Sequence, residues 1–589
     1  MAPISFKIEN ASLTKYQQVS SVKYICGYDN EGTAIEQNKR KELHLLGLLP
    51  AGVETMDIQR RRALQQVRSK STQLERYVFL AQLRTSNIRL FYKIIMDDLQ
   101  EFAPIIYTPT VGTACIEYSN IYPFLAATGV PDGLYLNSTD LDHLKESILN
   151  YQPYPNFSPE IAVITDGSRI LGLGDLGSNG MGISIGKLQL YVAGAGIDPR
   201  RTLPIVLDMG TNNENLRQHD FYLGLRKTRP NDKEFYKIVD TVLNTIHEIY
   251  PNLLIQFEDW SSEHAFGLLE RYKDKLICFN DDIQGTGAVI LSGLINAIRK
   301  VINDIQPEEH RIVFYGAGSA AIGVARQIQV YFQTEFNMSE EQAKHIFWIV
   351  DSKGLITLDR GDKLAQHKIY YARDDNQGQQ YKELLDIINY VKPTVLIGLS
   401  SIPGAFNKNV LERLASLNKN PIVFPLSNPA TQAECTFADA MENTDHRVIF
   451  ASGTAFPSYT NVKTGHVSIP GQGNNMYIFP GLGLGAILAQ VKSISDAMIY
   501  NASKALADSL TVDEVEQNWL YPSLTRIRDV SAKVAVAVIE QALRSGLCSD
   551  VNKEEFLKSL NHNGLVQYVY SNMWTPTQDE YGSDNNSRI

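Results

Sequence analysis

"RIVFYGAGSAAIGVARQIQVYFQ", Arg311 to Gln333, sets the class of fold. "RIVFY" is a short β-branched and aromatic run. It leads without a spacer into Gly316-Ala317-Gly318-Ser319-Ala320-Ala321, a G-x-G-x-x-A turn. "AAIGVARQIQVYFQ" then carries apolar residues at helical spacing. A strand, a tight glycine turn and a helix in that order place a helix N-terminus where a pyrophosphate can sit. Those six residues are therefore the candidate dinucleotide contacts. The next strand-like run, "IFWIVDSKG", ends in Asp351 with Ser352 beside it, and Asp351 is a candidate ribose-binding acid. It lies roughly thirty residues beyond Gly318, against the usual ~20.

A second glycine pattern, Gly172-Leu173-Gly174-Asp175-Leu176-Gly177, competes with the first. Asp175 stands inside the loop, where an anion would repel phosphate. The following "GSNGMGISIGK" reads without an immediate helix, so no dinucleotide is expected there.

Around these motifs the pattern changes along the chain. "NKRKELHLLGLLP" and "LERYVFLAQLRTSNIRLFYKIIMDDLQEF" have apolar residues at helical spacing, so the N-terminal region reads as helices. From Ile161 onward, "IAVIT", "TLPIVLDMG", "NLLIQF", "PTVLIGLS", "PIVFPLSNP" and "RVIFASG" alternate with helical stretches. Such continuous runs indicate parallel sheets in α/β domains. The C-terminal part reads as helical again, before a polar tail.

Two acidic doublets, Glu258-Asp259 and Asp281-Asp282, follow apolar strand-like runs. Neighbouring strand residues point to opposite faces, so Glu258 and Asp259 converge only if the backbone bends where the strand stops. Asp281-Asp282 opens the helix "IQGTGAVILSGLINAIRK", where carboxylates suit the helix dipole. The doublets read either as a helix cap and a solvated turn or as one buried carboxylate cluster. A buried cluster needs a cation, and all-oxygen ligands suit Mg²⁺ or Mn²⁺.

The 589 residues are 44% hydrophobic and 20% charged with net charge −10, ordinary for a globular protein of several domains. No dense basic run goes beyond Arg60-Arg61-Arg62, so no nucleic-acid partner is expected. No apolar stretch approaches the roughly 18–20 residues needed to span a bilayer, so no membrane is expected either. The five cysteines, Cys26, Cys115, Cys278, Cys435 and Cys548, are dispersed without a C-x-x-C pair. That argues against disulfides and thiolate zinc and for a reducing compartment. The N-terminus lacks a secretory h-region and reads poorly as a transit peptide, so a cytoplasmic location is expected. The terminal Ser587-Arg588-Ile589 is a weak match to a peroxisomal tripeptide.

The sequence closely resembles the malic enzyme family, the NAD(P)-dependent oxidative decarboxylases of L-malate. The resemblance rests on "PIIYTPTVGTAC", "TDGSRILGLGDLGSNGMGISIGKL", "LPIVLDMGTNN", "QFEDW", "CFNDDIQGTGAV", "GAGSAAIG", "LSNPATQAECT" and "GQGNNMYIFPGLGLG", in order. It implies a helical N-terminal domain over 1–130. A discontinuous malate- and metal-binding α/β domain with a parallel sheet follows over 131–282 and 475–545. An inserted Rossmann-type dinucleotide-binding domain covers 283–474, and a helical extension with a loose tail covers 546–589. It implies metal ligands Glu258, Asp259 and Asp282, general base Lys187 with partner Asp281, and general acid Tyr107. Arg169, Asn428, Asn474 and Asn475 are implied on the substrate side. Arg169, Asp282 and Asn428 are also implied beside the cofactor.

The resemblance further implies malate and pyruvate as ligands, an oxaloacetate intermediate and a homodimer or homotetramer. A neutral lysine would take the C2 hydroxyl proton, the metal would stabilise charge on the C2 oxygen, and tyrosine would protonate C3. Asp351 favours NAD, whereas Ser352, Lys353, Lys363 and Lys368 favour NADP; the balance goes to NADP with NAD kept open. Two departures stand out. Ala455 in "SGTAFPSY" replaces a proline of the family loop. Ser86 replaces one of two arginines of a fumarate site, leaving Arg62 alone, so fumarate activation is not expected. A catalytically silent subunit of the same fold and a metal-independent amino-acid dehydrogenase are the rival readings.

Overall fold

The computed structural model of the chain describes residues 28–125, 131–154, 156–362, 364 and 366–577. The N-terminal stretch, Cys26, Lys363 and the Ser587-Arg588-Ile589 tail lie outside them. The chain divides into two compact units. One comprises Met1–Asp132, Pro153–Pro155 and Trp574–Ile589; the other comprises Gly133–Gln152 and Asn156–Met573.

The first unit is helical, with helices Met56–Arg68, Gln73–Ser86, Ile88–Asp97, Leu99–Ile106 and Thr110–Ile116. Their starts are written in the sequence. Thr72 and Glu75 form a reciprocal capping box, and the Thr55, Asn87 and Asp98 side chains accept backbone N–H groups at the next helix starts. Ile88–Asp97 buries Ile88, Leu90, Phe91, Tyr92, Ile94 and Ile95. Trp574 closes this unit: its indole donates to the Tyr28 hydroxyl (2.8 Å), and its ring meets Tyr92 edge-on.

The second unit holds two parallel sheets. The first has strands β1 Leu134–Asn137, β2 Ile161–Thr165, β3 Thr202–Asp208, β4 Leu254–Phe257 and β5 Cys278–Asn280, in the order β1-β3-β2-β4-β5. The second has β6 Ile312–Tyr315, β7 Phe347–Asp351, β8 Gly354–Leu355, β9 Val395–Gly398, β10 Ile422–Pro425 and β11 Ile449–Ser452. A small antiparallel hairpin, β12 Tyr459–Thr460 and β13 Val467–Ser468, precedes the last strand, β14 Gly471–Gln472. The order of the second sheet is β14-β11-β10-β9-β6-β7-β8, parallel throughout except that β8 returns against β7.

β2, β4, β5, β9 and β10 are buried along their whole length, as expected of parallel strands covered on both faces. Helix Met181–Ala195 is buried at every residue, and Phe479–Ala489 is nearly so. The second is apolar all round, as a core helix is, whereas the first also buries Ser184, Lys187 and Gln189. The second lies so close to helix Ile527–Arg544 that a Cβ on Gly481 would stand 2.7 Å from the Ser531 carbonyl oxygen.

Among the described residues Cys115, Cys278, Cys435 and Cys548 are all buried, and no helix is long and apolar enough to cross a membrane. One expectation is corrected. A 3₁₀ turn, Gly177–Gly180, runs straight into helix Met181–Ala195, so the second glycine pattern does lead into a helix. Its Asp175 is paired with Arg229 (2.8 Å).

Candidate active site

The acid doublets sit where the first sheet ends. β4 stops at Phe257, and Asp259 takes φ = 54°, the left-handed region that side-chain-bearing residues seldom adopt. That bend defeats the strand alternation that would separate Glu258 from Asp259. Asp281–Gly285 forms one π-helical turn after β5, leading into helix Thr286–Val301. The Asp259 N–H donates to the Asp282 carboxylate (2.8 Å). Ligand oxygens of Glu258, Asp259 and Asp282 all lie within 4.8 Å of one another.

Lys187 projects from the middle of the buried helix Met181–Ala195. Its side chain is 3% exposed, with Nζ 2.5 Å from Asp281 Oδ2, 3.1 Å from Glu258 Oε1 and 4.5 Å from the Phe479 ring centroid. Asn475 Nδ2 donates to Asp281 Oδ2 (3.1 Å), while the Asn474 side chain accepts from the Met476 N–H. Arg169 is tied to the same centre. Its N–H donates to the Asp259 carbonyl (3.2 Å), and its guanidinium donates to the Ser262 hydroxyl.

Burial pushes the Glu258 and Asp259 carboxyls well above the usual range. For Glu258 the neighbouring Asp282 and Asp281 add to it, with Lys187 opposing; for Asp259 the neighbour is Glu258. Burial, then Asp259, raises Asp282 to about 7. Asp259 Oδ2 and Asp281 Oδ1 are buried without a hydrogen-bond partner. A convergent all-carboxylate set with an unpartnered buried oxygen fits an oxygen-loving dication such as Mg²⁺ or Mn²⁺.

The glycine turn lies at the end of β6. Gly316 has φ = 125°, and a Cβ there would stand 2.3 Å from the Leu399 carbonyl oxygen, so only glycine turns the chain here. A Cβ on Gly318 would meet nothing within 4 Å, which leaves the N-terminus of helix Ser319–Phe336 open to a ligand. Ala317 and Ala321 are buried and Ala320 half-buried beside it. The turn is joined to the acids: Gln327 of this helix donates to the Gln284 carbonyl (3.2 Å), and a Cβ on Gly323 would lie 3.4 Å from Ile283.

Asp351 ends β7 as expected but is already engaged. Arg360 grips both its oxygens (2.8 and 2.9 Å), and Lys368 reaches it at 3.0 Å. Partial burial opposes its ionisation, but the bonds from Arg360, the Lys353 N–H and Lys368 prevail and hold it near a pKa of about 2. Ser352 and Asn428 are exposed at the ends of β7 and β10. Tyr107 belongs to the first unit, 8% exposed at the end of helix Leu99–Ile106, where its N–H donates to Ala103 (2.9 Å). In the same unit Arg62 is taken by Glu54, and the Ser86 hydroxyl donates to Leu83.

Residues 84–273 match the family described as malic enzyme, N-terminal domain, and 283–543 match malic enzyme, NAD binding domain. The NADP-dependent malic enzyme of Dictyostelium discoideum is 49% identical over 518 residues, covering 88% of this chain and 92% of that protein. This chain belongs to the malic enzyme family. An NADP-dependent malic enzyme of Vitis vinifera is 39% identical over 94% of this chain and 90% of its own length. The crystal structure of Entamoeba histolytica malic enzyme shares the fold, with TM-score 0.53 and 23% identity over 86% of this chain and 89% of that one.

Four side chains at this family site escaped the sequence reading. Gln256, 0% exposed, accepts from the Tyr191 hydroxyl and donates to Glu258 Oε2 (2.7 Å). Its position two residues before Glu258, on one strand face, was the available signal. Arg229 braces the Arg169 loop by pairing with Asp166 (3.0 Å) and Asp175. Arg360 and Glu434 come from loops with no periodicity to betray them.

Proposed function

We propose that this chain oxidatively decarboxylates L-malate to pyruvate and CO₂ with reduction of NADP⁺, using Mg²⁺ or Mn²⁺. The observation that carries the reading is the juxtaposition of the Glu258, Asp259 and Asp282 oxygens with Lys187, on a turn packed directly against the helix of the glycine fingerprint. Glu258, Asp259 and Asp282 would hold the ion. When bound, the ion supplies Lewis acidity at the substrate's C2 oxygen, and the nicotinamide supplies the hydride acceptor.

The chain's own residues do the rest. Lys187, as the neutral amine, takes the C2 hydroxyl proton, and Asp281 holds the ammonium that this step forms. Burial shields the lysine from bulk water. Arg169 pairs with a malate carboxylate. Asn475 braces Asp281 and presents its amide toward the same centre, with Asn474 shaping the turn and Asn428 reaching the substrate and nicotinamide from the end of β10. Tyr107 returns a proton to C3; the support for this role is the family motif "IIYTPT".

NADP is favoured over NAD by charge at the end of β7. Arg360, Lys353 and Lys368 against Asp351 and Asp362 give +3 − 2 = +1, with Asp351 already neutralised rather than free for a ribose hydroxyl. Two of the relatives are named as NADP-dependent. Self-association through the first unit is supported by its exposed Leu46, Leu48, Val53 and Ile116.

The test is absorbance at 340 nm with L-malate, NADP⁺ or NAD⁺, and Mn²⁺ or a chelator. NADPH and pyruvate in equal amounts, lost with the chelator, are expected. No turnover with either dinucleotide, or turnover untouched by the chelator, would overturn the reading.

A further inference from the structure

Glu434 is a carboxylate with 0% exposure, in the loop between β10 and helix Phe437–Glu442. Among the described residues no lysine, arginine or histidine pairs with it. A buried anion without a counter-cation is costly unless hydrogen bonds compensate. Here they do. Oε1 accepts from the Ser400 N–H (2.8 Å), the Ser400 hydroxyl (2.8 Å) and the Ser427 hydroxyl (2.6 Å), and Oε2 faces the Ser427 N–H at 3.5 Å. Ser427 Oγ in turn accepts from the Ser401 N–H (2.9 Å). The Glu434 carbonyl accepts from the Phe406 N–H (2.9 Å). A Cβ on Gly398 would stand 2.4 Å from Glu434 Cδ, so the strand end leaves room for this one side chain.

Each of the gripped segments faces the dinucleotide region. Ser400 and Ser401 follow β9. The Leu399–Ser400 peptide is the surface on which the glycine turn rests: a Cβ on Gly316 would lie 2.3 Å from the Leu399 oxygen and 3.0 Å from the Ser400 nitrogen. Ser427 follows β10 and immediately precedes Asn428. One carboxylate therefore binds the peptide beneath Gly316 and the residue that carries Asn428. In a parallel sheet these strand ends form the crevice where dinucleotides bind.

We propose that Glu434 is a positioning residue for the dinucleotide. It locks the loops after β9 and β10 together, so that the floor under Gly316 and the direction of Asn428 are set before the cofactor arrives. The inference rests on the reading that the Gly316–Ala321 turn holds the dinucleotide. Three donors converge on its Oε1, so an acceptor oxygen at that point is what ties the two loops together.

The experiment compares Glu434→Ala, Glu434→Gln, Ser427→Ala and Gly316→Ala in the full chain, reading NADPH affinity by fluorescence, KM for NADP⁺, kcat, Mn²⁺ affinity and Tm. Glu434→Ala should weaken NADPH binding and raise the KM for NADP⁺ by about tenfold or more, with Mn²⁺ affinity unchanged. Glu434→Gln, which keeps one acceptor oxygen, should recover NADPH affinity to within about threefold of wild type. If the alanine variant does not fold, Ser427→Ala carries the test, with an expected loss of about threefold. A folded Glu434→Ala, or in its place Ser427→Ala, that binds NADPH as wild type does would overturn the proposal. So would a loss of Tm with NADPH and Mn²⁺ affinities falling together. Gly316→Ala separates the two ideas. Unchanged NADPH binding there removes the underlying reading, whereas loss there with normal binding in Glu434→Ala removes only the role of Glu434.

Discussion

Divalent-metal affinity should rise steeply with pH, because the candidate ligands are held protonated until a cation replaces the proton. The Asp282 carboxyl moves from an ordinary 3.8 to about 7, driven by burial and by Asp259. Three pK units at roughly 1.4 kcal/mol each make ionising this side chain in the metal-free protein cost roughly 4 kcal/mol. The sign follows from which state holds more protons. Between the unfolded value and about 7 the folded chain binds the extra proton, so this group's contribution to stability is complete below the unfolded pKa and fades as pH rises through 7. A bound dication needs the ionised form and must expel that proton. Each pH unit below about 7 should therefore weaken the apparent Kd for Mn²⁺ about tenfold per proton expelled. Glu258 and Asp259, also raised, steepen the slope. The assay is a titration of free Mn²⁺ by electron paramagnetic resonance between about pH 5.5 and 8.5, with Tm measured with and without Mn²⁺. Stabilisation by Mn²⁺ should be larger at pH 8 than at pH 5.5, and Asp282→Asn should bind weakly with a flatter pH profile. A Kd constant within twofold across that range, or Mn²⁺ stabilising more at pH 5.5, would mean that Mn²⁺ displaces no proton from these carboxyls.

Other perturbations bear on separate parts of the site. Lys187→Met should lower kcat by about 10²–10⁴, the usual worth of a positioned base, with NADPH affinity kept; a loss below tenfold in steady-state assays would deny it that role. Gln256→Ala should weaken Mn²⁺ binding about 10–100-fold by releasing Glu258 from its brace, as isothermal titration would read. Lys368→Ala should raise the KM for NADP⁺ about tenfold while leaving NAD⁺ kinetics nearly unchanged, and equal effects on both cofactors would remove Lys368 from the preference for NADP. Tyr107→Phe should cut malate turnover about 10²–10⁴-fold without altering Mn²⁺ affinity.

The parts of this site that were legible in the sequence are those with a local signature. Gly316 follows a strand and precedes a helix, and φ = 125° with a backbone oxygen 2.3 Å from its missing Cβ explains why nothing but glycine stands there. The doublets were readable as strand-end acids, and the bend their convergence requires is present as the positive φ of Asp259. The helix behind Gly177 was missed because a 3₁₀ turn and a run of small residues hide its start. Arg360 and Arg229 were missed for another reason: each reaches its acids from a loop, and tertiary folding alone brings them there. The same holds for Glu434, seven residues beyond the Ser427 that it binds and 34 beyond Ser400. Asp351 shows the opposite limit. Its position at a strand end was evident, yet its engagement by Arg360 and Lys368 inverts what a lone acid there suggests about the cofactor.

The proposed function requires one dication among Glu258, Asp259 and Asp282 beside Lys187. Anomalous diffraction at the manganese edge from crystals grown with Mn²⁺ tests it directly. A single strong peak ligated by those three carboxylates, with Lys187 next to it, is the predicted result; a peak elsewhere with these side chains unligated would contradict it.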